Sequence, residues 1–231
     1  MYLNQRILAV IPARGGSRGI PDKNVVVLAG RPLLAHTIDT ALAVGEFDRI
    51  VVSTNDPKIA AVAEACGVSV VRRPDDLATA DAPTEWAVLH ALDSILEAGD
   101  PPFDYVAVLE PTTPFRTVAT IQGAIRSIVR KGARSLLTVS EIRESMGRIE
   151  NGIFRPLQKP RRRQDREPLY VECGAIYLCR VDHLRQTRSL VTEDWLAFVV
   201  DSKEAVDINE PLDLIYAEAV AEQRQARKVN P

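Results

Sequence analysis

Residues 12–24 read PARGGSRGIPDKN. Gly15, Gly16 and Gly19 leave the backbone free to turn its N–H groups toward one anion. Arg14, Arg18 and Lys23 bring positive charge to the same loop, and Ser17 adds a hydroxyl donor. Convergent amides, cations and a hydroxyl suit a polyphosphate. Two familiar phosphate motifs are absent. The Walker A spacing G-x-x-x-x-G-K-[ST] does not occur, which disfavours a P-loop NTPase, and the glycines do not fall at G-x-G-x-x-G, which disfavours a dinucleotide dehydrogenase. Without its cations the loop would be equally well read as a mobile surface connection.

The loop needs a scaffold, and the chain supplies one. Apolar, β-rich runs at 7–11, 49–53, 68–71, 105–109, 135–139, 174–178 and 196–200 alternate with helical patterns at 32–44, 57–66, 84–98, 117–131 and 211–225. The spacing predicts an α/β fold, a mostly parallel sheet with helices on both faces. Ligands of such sheets bind beyond the carboxyl ends of the strands, which is where residues 12–24 fall. The rhythm breaks across about 140–170, a polar stretch with neither period. It reads as an arm inserted into a single domain spanning 1–231.

Composition narrows the class. The chain has 231 residues, 46% of them hydrophobic and 26% charged, with a formal net charge of −2. That is ordinary for a globular protein and speaks against wholesale nucleic-acid binding. No membrane span and no signal-peptide layout are expected. Cys66, Cys173 and Cys179 form no CxxC pair and read as reduced thiols of a cytoplasmic protein. His36, His90 and His183 are too scattered for a zinc site. The small total hides a separation of charge. Residues 155–166 hold six basic residues, Arg161 among them, against Asp165, and residues 10–24 are also net positive.

The run IPARGGSRGIPDKN resembles the N-terminal signature of the acylneuraminate (CMP-sialic acid) cytidylyltransferases. FDRIVVSTND, VVRRPDDLA, LEPTTPFRT, RRRQ with GAIYL, and VDINEPLDL follow in that family's order. The resemblance implies a Rossmann-like nucleotidyltransferase fold and a homodimer formed through the inserted arm. The implied reaction joins CTP to a nonulosonic, sialic-acid-like sugar in making cell-surface polysaccharide. By the same resemblance Arg14, Gly15, Gly16, Ser17, Lys23, Asn24, Arg73, Ala82 and Thr84 bind the nucleotide. Glu110, Arg116, Arg163, Gln164 and Cys173 face the sugar, and Arg14, Lys23 and Asp207 are catalytic.

Nucleotidyl transfer needs positioning and charge neutralisation more than covalent help from side chains. Mg²⁺ is therefore expected, with Asp207 and Asn209 as ligands beside phosphate oxygens. Asp207 could instead cap the last helix. Arginine suits a sugar carboxylate through its planar fork, although the arm's arginines could equally keep it soluble. Three positions depart from the family pattern. Asn209 stands where a second carboxylate is usual, Glu110 replaces a Gln and Cys173 replaces an Asn. The last two changes predict a sugar acid other than N-acetylneuraminate. Competing expectations are an octulosonate-type acid, another nucleoside triphosphate, or a binding protein without catalysis.

Overall fold

The computed structural model describes residues 1–159 and 162–229. Arg161 of the basic arm and the last two residues of the tail lie outside the described residues. The first strand, β1 (Ile7–Pro12), is an unbroken apolar run. Such a run fits a strand covered on both faces. Two short strands, β2 (Val27–Leu28) and β3 (Arg31–Pro32), lead into α1 (Leu33–Val44). Then come β4 (Arg49–Thr54), α2 (Pro57–Ala65), β5 (Ser69–Arg72), α3 (Thr84–Glu97), β6 (Tyr105–Val108) and α4 (Val118–Lys131). The remainder is β7 (Ser135–Ile142), β8 (Gly147–Glu150), β9 (Ile153–Pro156), β10 (Leu169–Arg180), α5 (Val181–Thr187), β11 (Leu196–Val200) and α6 (Pro211–Val229).

Seven strands form one sheet in the order β11-β7-β10-β6-β1-β4-β5. Every pairing is parallel except those of β10, which runs antiparallel to both β6 and β7. The alternation within β1 divides the core. Ile7, Ala9 and Ile11 pack with Leu34, Ile38, Ile59, Ile121 and Ile125 on one face. Leu8 and Val10 pack with Val88, Leu92, Ile95 and Leu184 on the other. The chain leaves β1 toward β4 and β5, then returns to place β6 on β1's other side. That reversal opens a crevice at the carboxyl ends of β1 and β6.

Helix ends are set locally. Asp56 caps α2, its Oδ1 accepting the N–H groups of Lys58 at 2.7 Å and Ile59 at 3.2 Å, and Pro57 follows where no N–H is needed. Thr117 is the cap of α4 and not part of the helix, its Oγ1 accepting from Thr120 N at 3.1 Å. Pro32 likewise precedes α1 and belongs to β3. The largest departure from expectation is the arm. β7 runs on to Ile142, β10 starts as early as Leu169, and β8 and β9 form a hairpin between them. Both hairpin strands are exposed along their whole length, so no hydrophobic alternation marks them. Helix α5 is a further element that the sequence pattern left undivided from its surroundings.

Candidate active site

The crevice holds a cleft of about 410 Å³. Pro12, Arg14, Ser17, Arg18, Gly19, Lys23 and Asn24 line one side of it. Glu110, Pro111 and Thr112, just past β6, line a second side, and Asn209 and Glu210 a third. Side chains from neighbouring elements hold the loop in shape. Gly15 N donates to Asn55 Oδ1 at 3.0 Å, and a Cβ on Gly15 would lie 2.8 Å from Asp56 Oδ2. Gly16 takes φ +65°, a conformation that disfavours any side chain. Buried Asn24 donates through Nδ2 to the Arg14 carbonyl at 3.0 Å. Lys23 Nζ donates to the Ile208 carbonyl at 3.0 Å and to Asn209 Oδ1 at 2.9 Å, which ties the loop to the 207–210 segment. Burial holds the Lys23 amine below its ordinary range, against the opposing pull of Asp207 and Glu110. Arg18 reaches out to within 4.0 Å of Asp81.

A second cleft, of about 290 Å³, adjoins the first. Thr84 and Glu85 of α3, Glu110, and Glu172 and Tyr177 of β10 form its polar wall. Leu137, Leu190, Val191 and Trp195 form the apolar one. Tyr177 donates its hydroxyl to Glu172 Oε1 at 2.8 Å. Glu110 borders both clefts. Desolvation pushes its carboxyl up to about 7, although Arg116, Arg73 and Lys23 all oppose the rise. Those arginines are themselves buried, and each is lowered to about 10 by desolvation. Arg73 donates to Ser53 Oγ at 3.1 Å and to the Ser53 carbonyl at 2.8 Å. Arg116 donates to Thr37 Oγ1 at 3.1 Å and, through its other terminal nitrogen, to the Glu110 carbonyl. Arg116 thus fixes the backbone of the residue between the clefts.

The remaining sequence-predicted positions fall as follows. Asp207 and Asn209 adjoin at the edge of the first cleft, with Asn209 Nδ2 donating to Asp207 Oδ2 at 2.6 Å. The carboxylate that caps α6 is Asp213, which accepts the N–H groups of Asn209 at 2.9 Å and Glu210 at 2.8 Å. Asp207 is therefore left for another role. Among the described residues, no group of three or more His, Cys, Asp or Glu side chains is arranged to hold a metal. One exposed carboxylate and one amide are too few for a protein cage. They fit an Mg²⁺ that takes most of its ligands from phosphate and water. Cys173 is buried at the irregularity of β10 and lies in neither lining. Its carbonyl accepts from Thr138 Oγ1 at 2.8 Å, and burial raises its thiol. Ala82 is half-buried and also in neither lining. Arg163 and Gln164 sit on an exposed turn of the arm, outside both clefts, where Arg163 pairs with Glu144 at 2.8 Å. Sequence reasoning assigned no role to Asn55 and Asp56, although Asn-Asp-Pro before a helix is a capping signature, and it passed over Glu172, Tyr177 and Trp195.

A family model for cytidylyltransferases matches residues 8–204. The chain belongs to this family. Over 230 residues this cytidylyltransferase is 37% identical to a CMP-N,N'-diacetyllegionaminic acid synthase of Legionella pneumophila, covering 95% of this chain and 98% of that one. It is 28% identical to a pseudaminic acid cytidylyltransferase of Campylobacter jejuni, across 91% of this chain and 94% of that one. An N-acylneuraminate cytidylyltransferase of Escherichia coli is also 28% identical, over 99% of this chain but 55% of its own length. The chain thus spans about half of that longer relative. The solved structure of a CMP:2-keto-3-deoxy-manno-octonic acid synthetase complexed with CTP superposes with a TM-score of 0.73 at 18% identity, across 95% of this chain and 100% of that one. The fold is accordingly a Rossmann-like nucleotidyltransferase fold.

Proposed function

We propose that this cytidylyltransferase joins CTP to a 3-deoxy-2-keto nonulosonic acid, giving a CMP-sugar and pyrophosphate. The observation that carries the reading is a cation-lined, glycine-walled cleft meeting a second cleft at Glu110. The near full-length match to a legionaminic acid synthase supports the sugar class. The sugar's 2-hydroxyl oxygen forms a bond to the α-phosphorus as the bridging bond to the β-phosphate breaks, and the hydroxyl proton is released to solvent. Negative charge then gathers on the departing pyrophosphate. The N–H groups of 15–19, with Arg14, Ser17 and Lys23, bind the triphosphate and stabilise that charge. Asn24, Arg73, Ala82 and Thr84 serve the nucleoside side, and Glu110, Arg116 and Cys173 shape the sugar side. Asp207 and Asn209 would hold Mg²⁺, which when bound neutralises phosphate charge.

The same reading makes the protein a homodimer. The arm presents Ile149 at 77% exposure, Ile153 at 53% and Phe154 at 52%, an apolar surface that the described residues leave at least half open. In a dimer Arg163 and Gln164 of one protomer would serve the sugar cleft of the other. A cytoplasmic location goes with the three free thiols. Among the described residues no helix is long and apolar enough to cross a membrane. The test is pyrophosphate release with each nucleoside triphosphate in turn, across a panel of nonulosonic and octulosonic acids with Mg²⁺. Turnover is expected with CTP and a nonulosonic acid, and its loss in Lys23→Ala and Asp207→Ala. Full activity in both variants would overturn the site, and turnover with an octulosonic acid alone would overturn the substrate class.

A further inference from the structure

Glu110 is the one residue common to the linings of the two clefts. No hydrogen bond or ion pair to a described residue engages its carboxyl. Those donors of the surrounding cations that have partners point elsewhere, while Arg116 Nε is buried without one among the described residues. Arg73 is committed to Ser53, Arg116 to Thr37 and to the Glu110 backbone, and Lys23 to Ile208 and Asn209. No hydrogen bond from a described residue therefore fixes the carboxyl in its charged form, although the charges of Arg116, Arg73 and Lys23 favour it. Among the described residues the second cleft has no Lys or Arg in its lining, yet it carries Glu85 and Glu172 as well as Glu110. An ionised Glu110 would set a further negative charge between two sites that must each admit an anion.

We propose that Glu110 works uncharged, donating its carboxylic proton in a hydrogen bond to an anionic substrate oxygen where the clefts meet. A protonated Glu has the shape and the donor of a Gln side chain, and so does the task of an amide at this position. The inference rests on the proposed function for the identity of the two anions. The groups facing Glu110 act in both directions. Burial raises its value most, and Asp207 raises it further, while Arg116, Arg73 and Lys23 lower it, for a net value of about 7. Tyr177 faces it from β10, and Glu85 lies across the cleft on α3. A bound triphosphate adds whatever negative charge Mg²⁺ leaves unneutralised, and that remainder favours the neutral form. The working form is thus held at low pH and is lost as pH rises through the value in the complex.

The experiment measures the KM of each substrate from about pH 6 to about pH 9 for the wild type and Glu110→Gln. In the wild type, the KM of the substrate that receives the hydrogen bond should rise by up to about tenfold per pH unit on the alkaline side. The variant cannot ionise, so its profile should lose that slope. A slope in the sugar acid's KM identifies its carboxylate as the acceptor, and one in the CTP KM identifies a phosphate. A second measurement needs no variant and no turnover. Calorimetry of CTP binding in two buffers of different ionisation enthalpy should show proton uptake near neutral pH, and Glu110→Gln should abolish it. Parallel pH profiles in the two proteins would overturn the proposal. So would a wild-type rate that falls as pH drops below about 7 together with an inactive but folded variant, because the carboxylate would then be the working form. If no sugar acid supports turnover, the proposed function fails, and CTP-linked proton uptake still decides the role of Glu110.

Discussion

Gly19→Ala tests how the nucleotide cleft is held together. A Cβ at position 19 would lie 2.2 Å from the Asn209 carbonyl oxygen and 3.3 Å from its carbon. A comfortable C···O approach is about 3.3 Å, so the loop and the 207–210 segment must part by roughly 1 Å. Both partners are backbone, and no side-chain rotation can relieve the clash. Overpacking of this kind costs about 1–3 kcal/mol, or roughly 2–10 °C in Tm for a chain of this size. The kinetic effect should be larger than the loss of stability. Lys23 is hydrogen-bonded to Ile208 and Asn209, so the same displacement pulls it from its place beside the triphosphate. A misplacement of about 1 Å can reduce turnover on the order of a hundredfold. Steady-state pyrophosphate release, with Tm measured alongside, separates the two effects. Gly45→Ala, at the end of α1 away from the cleft, is the control, because a Cβ there meets nothing within 4 Å and adds only left-handed strain of about 1–2 kcal/mol. If kcat/KM of Gly19→Ala stayed within about twofold of wild type, the coupling between loop and segment would be refuted.

Asp56→Ala removes both cap bonds of α2 and should cost about 1 kcal/mol in urea denaturation; an unchanged midpoint would show that the cap contributes nothing. The Glu110 carboxyl lies at about 7 in the folded protein against an ordinary 4.5. Its contribution to stability is therefore full below the unfolded value and is lost as pH rises through about 7, by up to about 3 kcal/mol. Urea midpoints across that range should fall in the wild type and fall less in Glu110→Gln, and equal falls would place the effect on another group. Phe154→Asp, on the exposed arm hairpin, should convert a dimer to a monomer by light scattering, and an unchanged mass would remove the arm from the interface.

The parallel half of the sheet was legible because β1, β4 and β6 are short apolar runs bounded by helical periods and by turn residues. The loop after β1 was legible as a cleft wall for a different reason: its glycines and cations lie within a dozen residues of one another. Glu110 has no such local signal. Its proximity to Lys23 follows from the chain's return to place β6 beside β1, a long-range event that no short spacing encodes. The arm was read only as a break in rhythm, since β8 and β9 have no buried face in their own protomer to impose alternation. Thr117 and Pro32 were placed one residue inside their helices, because a capping residue and a first-turn residue look alike in a linear pattern. The burial of Arg73 and Arg116 was likewise invisible, as Ser53 and Thr37, which accept from them, lie 20 and 79 residues away in sequence.

The first cleft joins segments far apart in sequence. Arg14 and Lys23 follow β1, while Ile208 and Asn209, which fix Lys23, lie beyond β11. The β5-β4-β1-β6 half of the sheet draws only on residues up to Val108, so it can assemble early in synthesis. The cleft cannot, because its third wall is made after every strand. Triphosphate binding in this cleft is therefore expected only once residues 207–210 have joined the fold. CTP favours the completed fold over any partly folded form that lacks this closure, and cellular nucleotide adds to the stability of the protein by mass action.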